Sequence, residues 1–166
     1  MKKYLLLLLP VLINQCKPEP KAYFKTKDPN KTGVRFSNNI TYGDSLSVID
    51  FEYMYNGGGV AAVDINNDGW QDLFFVGNMT SSKLYLNKGN WQFEDITDKA
   101  NVTTSTWASG VAIADVNQDG FKDIYLSVGG DRYTPREKRN NLLFAKSFFR
   151  KQCFHDFAIH WRSGYE

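Results

Sequence analysis

Gly59-Val60-Ala61-Ala62-Val63-Asp64-Ile65-Asn66-Asn67-Asp68-Gly69-Trp70-Gln71-Asp72-Leu73 aligns without a gap on Gly110-Val111-Ala112-Ile113-Ala114-Asp115-Val116-Asn117-Gln118-Asp119-Gly120-Phe121-Lys122-Asp123-Ile124, at an offset of 51 residues. A self-match at a period near 50 residues marks a repeat architecture, and one period of that size holds a propeller blade of four strands. The first period breaks into four short β-type runs, at 60–63, 73–76, 84–86 and 91–93. Asn78 with Ser81-Ser82 marks one turn between them, and Lys88-Gly89-Asn90 marks another. No run between residues 57 and 128 has the length and period of an amphipathic helix. The expected fold is therefore all-β, a partial β-propeller of about two four-stranded blades.

The second copy continues in kind. Asn141-Leu142-Leu143-Phe144 takes the place of Lys83-Leu84-Tyr85-Leu86, after an insertion of seven residues. That insertion falls at 131–139, where the charged residues Arg132, Arg136, Lys138 and Arg139 predict a solvated surface loop.

Both copies carry D-x-N-x-D-G-x-x-D. In a tight loop, alternate positions turn inward, so Asp64, Asn66 and Asp68 are spaced to aim oxygens at one centre, with the carbonyl of Trp70 as a further donor. Gly69 suits the positive φ of the bend, and Asp72 closes the shell from the ninth position. Asp115, Asn117, Asp119, the carbonyl of Phe121 and Asp123 repeat the set, with Gly120 at the bend. Oxygen donors with three carboxylates per loop favour Ca²⁺ over zinc or copper, which take His or Cys.

Asp-Gly and Asn-rich stretches also make ordinary hairpin turns, with the side chains bonding their own backbone. A turn needs one or two such residues, whereas three carboxylates held together repel one another unless a cation offsets them. A helix-loop-helix calcium site shares the first half of the pattern but ends in an acidic residue at position twelve. Phe75 and Leu126 stand there, inside strand-like runs, which argues for hairpins instead.

With these loops in place the chain resembles the FG-GAP/VCBS repeat proteins, in particular the cartilage acidic protein type whose longer members end in an ASPIC/UnbV domain. The resemblance rests on Tyr55-Asn56-Gly57-Gly58-Gly59-Val60, the two aspartate loops, Lys83-Leu84-Tyr85-Leu86-Asn87-Lys88-Gly89 followed by Phe93-Glu94-Asp95-Ile96-Thr97, and Arg139-Asn140-Asn141-Leu142-Leu143-Phe144. It spans about 32–144 and implies a calcium-binding propeller module on a surface or secreted protein. It also implies further blades, since two do not close a propeller.

The ends read differently. Lys2 and Lys3 precede a short apolar run at 4–13, and Cys16 follows, then Lys17-Pro18-Glu19-Pro20-Lys21. This predicts a signal peptide at 1–16, a lipidated Cys16 anchoring the chain to a membrane surface, and a tether at 17–31. Gln15 departs from the small residue that lipoproteins carry before that cysteine. With Cys16 lipidated, Cys153 has no disulfide partner. Residues 145–166 leave the repeat pattern and read as a divergent tail, as from a truncated or frame-shifted product of a longer gene. Ala145, Phe149, Cys153, Phe157 and Trp161 recur there every fourth residue, the stripe of a short amphipathic helix. His155 and His160, five apart, read as solvated rather than as metal ligands.

Beyond the signal segment, 18 basic residues balance 18 acidic ones, so the chain lacks the basic excess that would suggest a nucleic-acid binder. Residues 32–144 contain no histidine or cysteine and no phosphate loop, and Gly57-Gly58-Gly59 precedes a strand rather than a helix. The expected function is thus a non-enzymatic recognition or adhesion module for a glycan or protein, secreted or at the cell surface. A calcium-dependent polysaccharide-processing enzyme and a structural spacer are the alternatives. Sequons at Asn30, Asn39, Asn78 and Asn101 would mark surface loops in a host that glycosylates them.

Overall fold

The computed structural model describes residues 22–41, 43, 49, 51–130 and 134–146, together with the backbone of a strand at 157–160. The predicted signal segment, Cys16, Cys153 and His155 lie outside these residues.

The described chain opens with a one-turn helix, α1 (Pro29–Thr32), capped by the Asp28 carboxylate. Two antiparallel four-stranded meanders follow. The first is β1 (Val60–Val63), β2 (Asp72–Phe75), β3 (Lys83–Asn87) and β4 (Phe93–Asp95), paired in chain order. The second is β5 (Ala108–Ala114), β6 (Asp123–Val128), β7 (Leu142–Ala145) and β8 (Phe157–His160). Each aspartate loop is the hairpin between the first two strands of its sheet, with Val63 opposite Asp72 and Ala114 opposite Asp123. The all-β fold is the one expected from the repeat, and a short 3-10 turn at Arg136–Lys138 sits in the exposed insertion.

The sheets pack face to face. Phe74, Val76, Leu84 and Val63 of the first meet Ile124, Leu126, Leu142 and Phe144 of the second in one apolar core. The inner strands lie side by side, where the Gly59 amide donates to the Ser109 carbonyl at 3.0 Å. A Cβ at Gly58 would stand 2.1 Å from the Val76 carbonyl oxygen, so only glycine lets the chain pass there. The outer face of the first sheet is covered from the N-terminal side, where Phe36 stacks on Phe75 at 5.2 Å and the Arg35 amide donates to the Tyr85 hydroxyl.

Three expectations change. The fourth strand of the first sheet begins at Phe93 rather than Trp91, because Asn90 and Trp91 both take positive φ and belong to the preceding turn. Phe157–His160 is a strand pairing with β7, not part of a helix; pairing satisfies the open edge of β7 directly, which a helix laid over it would not. Asn78 is not a surface residue: it is 4% exposed. Its side-chain amide donates to the Ala108 and Gly57 carbonyls, and its carbonyl accepts from Asn38, so it joins the N-terminal segment to both sheets.

Candidate metal centre

The two loops follow one path. Asn67 and Gly69 take φ of 59° and 89°, and Gln118 and Gly120 take 61° and 87°. Gly69 and Gly120 hold the positive φ expected of the bend; the left-handed turn two residues earlier, at Asn67 and Gln118, was not legible. These reversals fold the backbone amides inward, and the side-chain oxygens meet them. Asp64 accepts from the amides of Asp68 and Gly69 at 3.0 and 2.8 Å, and Asp115 from Asp119 and Gly120 at 3.1 and 2.9 Å. Asn66 and Asn117 each accept from the amide two residues on. Asp68 and Asp119 accept from Trp70 and Phe121.

The ninth-position aspartates differ from the rest because they are buried, Asp72 at 0% exposure and Asp123 at 1%. Asp72 spreads its two oxygens over the Ile65 amide at 3.0 Å and the Asn87 amide at 2.7 Å, pinning the start of the loop to the end of β3. Asp123 does the same for Val116 at 2.9 Å and Lys146 at 2.8 Å.

Electrostatics separate the members of the first loop. The Trp70 amide, then the Asn66 side-chain amide, hold the Asp68 carboxyl below its ordinary range. Burial pushes the Asp72 carboxyl up, against its two amide bonds, and the negative charges of Asp68 and Asp64 push the same way. Within the first loop, Asp72 is thus the carboxylate on which the charges of the other two bear.

The donors are all oxygen, which suits a hard cation in kind. An amide bond uses one lone pair of a carboxylate oxygen and leaves another. As they stand, however, the side chains serve the loop's own N–H groups. Among the described residues, no three His, Cys, Asp or Glu side chains converge closely enough to hold an ion.

The loops also touch each other. The Asn67 side-chain amide donates to the Gly120 carbonyl at 3.2 Å. Lys146, just past β7, donates from Nζ to the Ile65 carbonyl and lies 4.5 Å from the Phe121 ring centre. Burial pulls its ammonium below the usual lysine range, opposed by the charges of Asp64, Asp72 and Asp119. Neither bridge was legible in the sequence, because both link residues far apart in the chain. Beside them, a cavity of about 260 Å³ between the sheets is lined by Leu84, Leu86, Ile96, Val102, Ile124 and Phe144.

Residues 64–126, from the first loop through the second, match the FG-GAP-like repeat. The chain is also similar to integrin alpha-3 of Cricetulus griseus and of Mus musculus, at 36% identity over 84 residues in each case. Those alignments cover 42% of this chain and only 8% of each integrin's length. The chain thus carries an FG-GAP-like repeat on a β-propeller-like pair of sheets. Among the described residues, no helix is long and apolar enough to cross a membrane.

Proposed function

We propose that the two loops are calcium sites and that the protein is a non-enzymatic recognition or adhesion module stiffened by them. Asp64, Asn66, Asp68, the Trp70 carbonyl and Asp72 would hold one ion, and Asp115, Asn117, Asp119, the Phe121 carbonyl and Asp123 the other. One observation carries the reading: a nine-residue loop of oxygen donors occurs twice, with the same amide bonds and the same pair of left-handed residues. Similarity to integrin alpha-3 supports placing such a module outside the cell or at its surface.

Bound calcium would offset the mutual repulsion of each loop's carboxylates and make the hairpin ends rigid, so binding and folding are coupled. Affinity should lie on the order of 10⁻⁴ to 10⁻³ M, the range of extracellular modules. At ten times that dissociation constant, mass action adds about 1.4 kcal/mol per site. Calorimetric titration with CaCl₂ is expected to show two sites, and EDTA to lower the melting temperature. Asp68→Ala and Asp119→Ala should each remove one site. A protein that melts at the same temperature in EDTA and in 10 mM CaCl₂, with no heat of binding, is not a calcium protein.

A further inference from the structure

We infer that Lys146 is a built-in cation for the paired loops: its ammonium ties the first loop to the second when no metal is bound, and weakens the first loop's hold on a divalent ion. The tether stands on geometry. The Lys146 backbone amide is held by Asp123 of the second loop at 2.8 Å, so its position is fixed by that loop's buried carboxylate. Its Nζ crosses to the Ile65 carbonyl, inside the first loop, and the chain rests on the Phe121 ring. One residue thus bonds both loops through different atoms.

Its charge then acts on three carboxylates at once, Asp64 and Asp72 of the first loop and Asp119 of the second. These are the charges a divalent ion would otherwise have to offset. A cation already present lowers the repulsion in the metal-free state. It also repels an arriving ion, so the metal gains less by binding. The second half of this inference rests on the calcium reading above; the first half does not.

Lys146→Met keeps the length and apolar stem of the side chain but removes charge and donor, while Lys146→Arg keeps both. In EDTA the Met variant is expected to melt about 5 °C below the parent protein, and the Arg variant to lose less than half of that. In CaCl₂ the Met variant should recover most of the deficit, with calcium affinity at the first loop rising about five- to tenfold. Asp119→Asn combined with Lys146→Met should cost less than the two single changes added, because they remove one interaction.

A Met variant that melts with the parent protein in EDTA overturns the tether, as does an Arg variant with the full deficit. Equal calcium affinity in parent and Met variant overturns the second half. If neither binds calcium while the EDTA deficit is present, the calcium reading falls and the tether stands.

Discussion

Replacing Asp72 by alanine tests how these loops are held, independently of any metal. The Asp72 carboxylate is fully buried and accepts from the Ile65 amide and the Asn87 amide. Truncation leaves two N–H groups without an acceptor, each worth about 1–3 kcal/mol when water cannot replace it. Ile65 is itself 8% exposed, so its amide takes the upper part of that range. A loss of about 3 kcal/mol is expected in EDTA, a fall in melting temperature of more than 10 °C for a domain of this size. Asp72→Asn should lose less, because one oxygen remains and the buried charge is gone. Burial raises the native Asp72 pKa above its unfolded value, so between those two values stability falls as pH rises, and at neutral pH the charge itself is a cost. Asp123→Ala supplies the comparison. Its partner Val116 is 54% exposed, so water can reach the orphaned amide and the loss should be about 1 kcal/mol smaller. Circular-dichroism melts and urea titrations read all three. An Asp72→Ala protein within about 0.5 kcal/mol of the parent, or an Asp123→Ala protein as damaged as Asp72→Ala, would refute the reasoning.

Acid sensitivity should trace in part to Asp95. Burial pushes its carboxyl up, but bonds from the Thr97 hydroxyl and amide and from Lys83 outweigh that and hold it below its ordinary range. Its contribution is complete above the unfolded pKa and is lost as pH falls through the lower native value, so Asp95→Asn should flatten the melting-temperature profile below about pH 4. Asn78→Ala should destabilise by about 2–4 kcal/mol, since it orphans the Ala108 and Gly57 carbonyls and the Asn38 side chain, and chemical denaturation would measure it. Protein made in a glycosylating host should carry no glycan at Asn78, a point that peptide mass spectrometry checks directly.

The repeat made most of the fold legible, because strand alternation and turn residues are local signals and the same signals occur twice. Strands β1 and β2 and the two hairpins lie where the pattern of residues 59–73 and 110–124 puts them, and β3 lies on the run at 84–86. Trp91 was misread because its aromatic side chain favours strands while its backbone, following Gly89 and Asn90, completes a left-handed turn. Ala145 and Phe157 were misread as part of a helical stripe because hydrophobic spacing alone does not register that β7 has an unpaired edge. In the loops, residue types and spacing were visible, but the burial of Asp72 was not. That property depends on the second sheet covering the first. Asn78 and Lys146 were hidden for the same reason, since each acts on partners 30 or 81 residues away.

The two copies are alike in sequence but not in surroundings, and the packing geometry accounts for the difference. Phe74 and Val76, which face the second sheet, correspond by the repeat to Tyr125 and Ser127, which face away from the first. Ile124 and Leu126, which the second sheet buries against the first, correspond to Leu73 and Phe75 on the opposite face. The interface is therefore head to tail: one face of a sheet meets the other face of its neighbour. It follows that, among the described residues, the second sheet leaves uncovered the face that the first sheet buries. Ala112, Ala114 and Val116 are exposed where Ala61, Val63 and Ile65 are partly or fully covered. The first loop sits at the junction between the two sheets, where Lys146 reaches it from the second sheet, and among the described residues no side chain plays that part for the second loop.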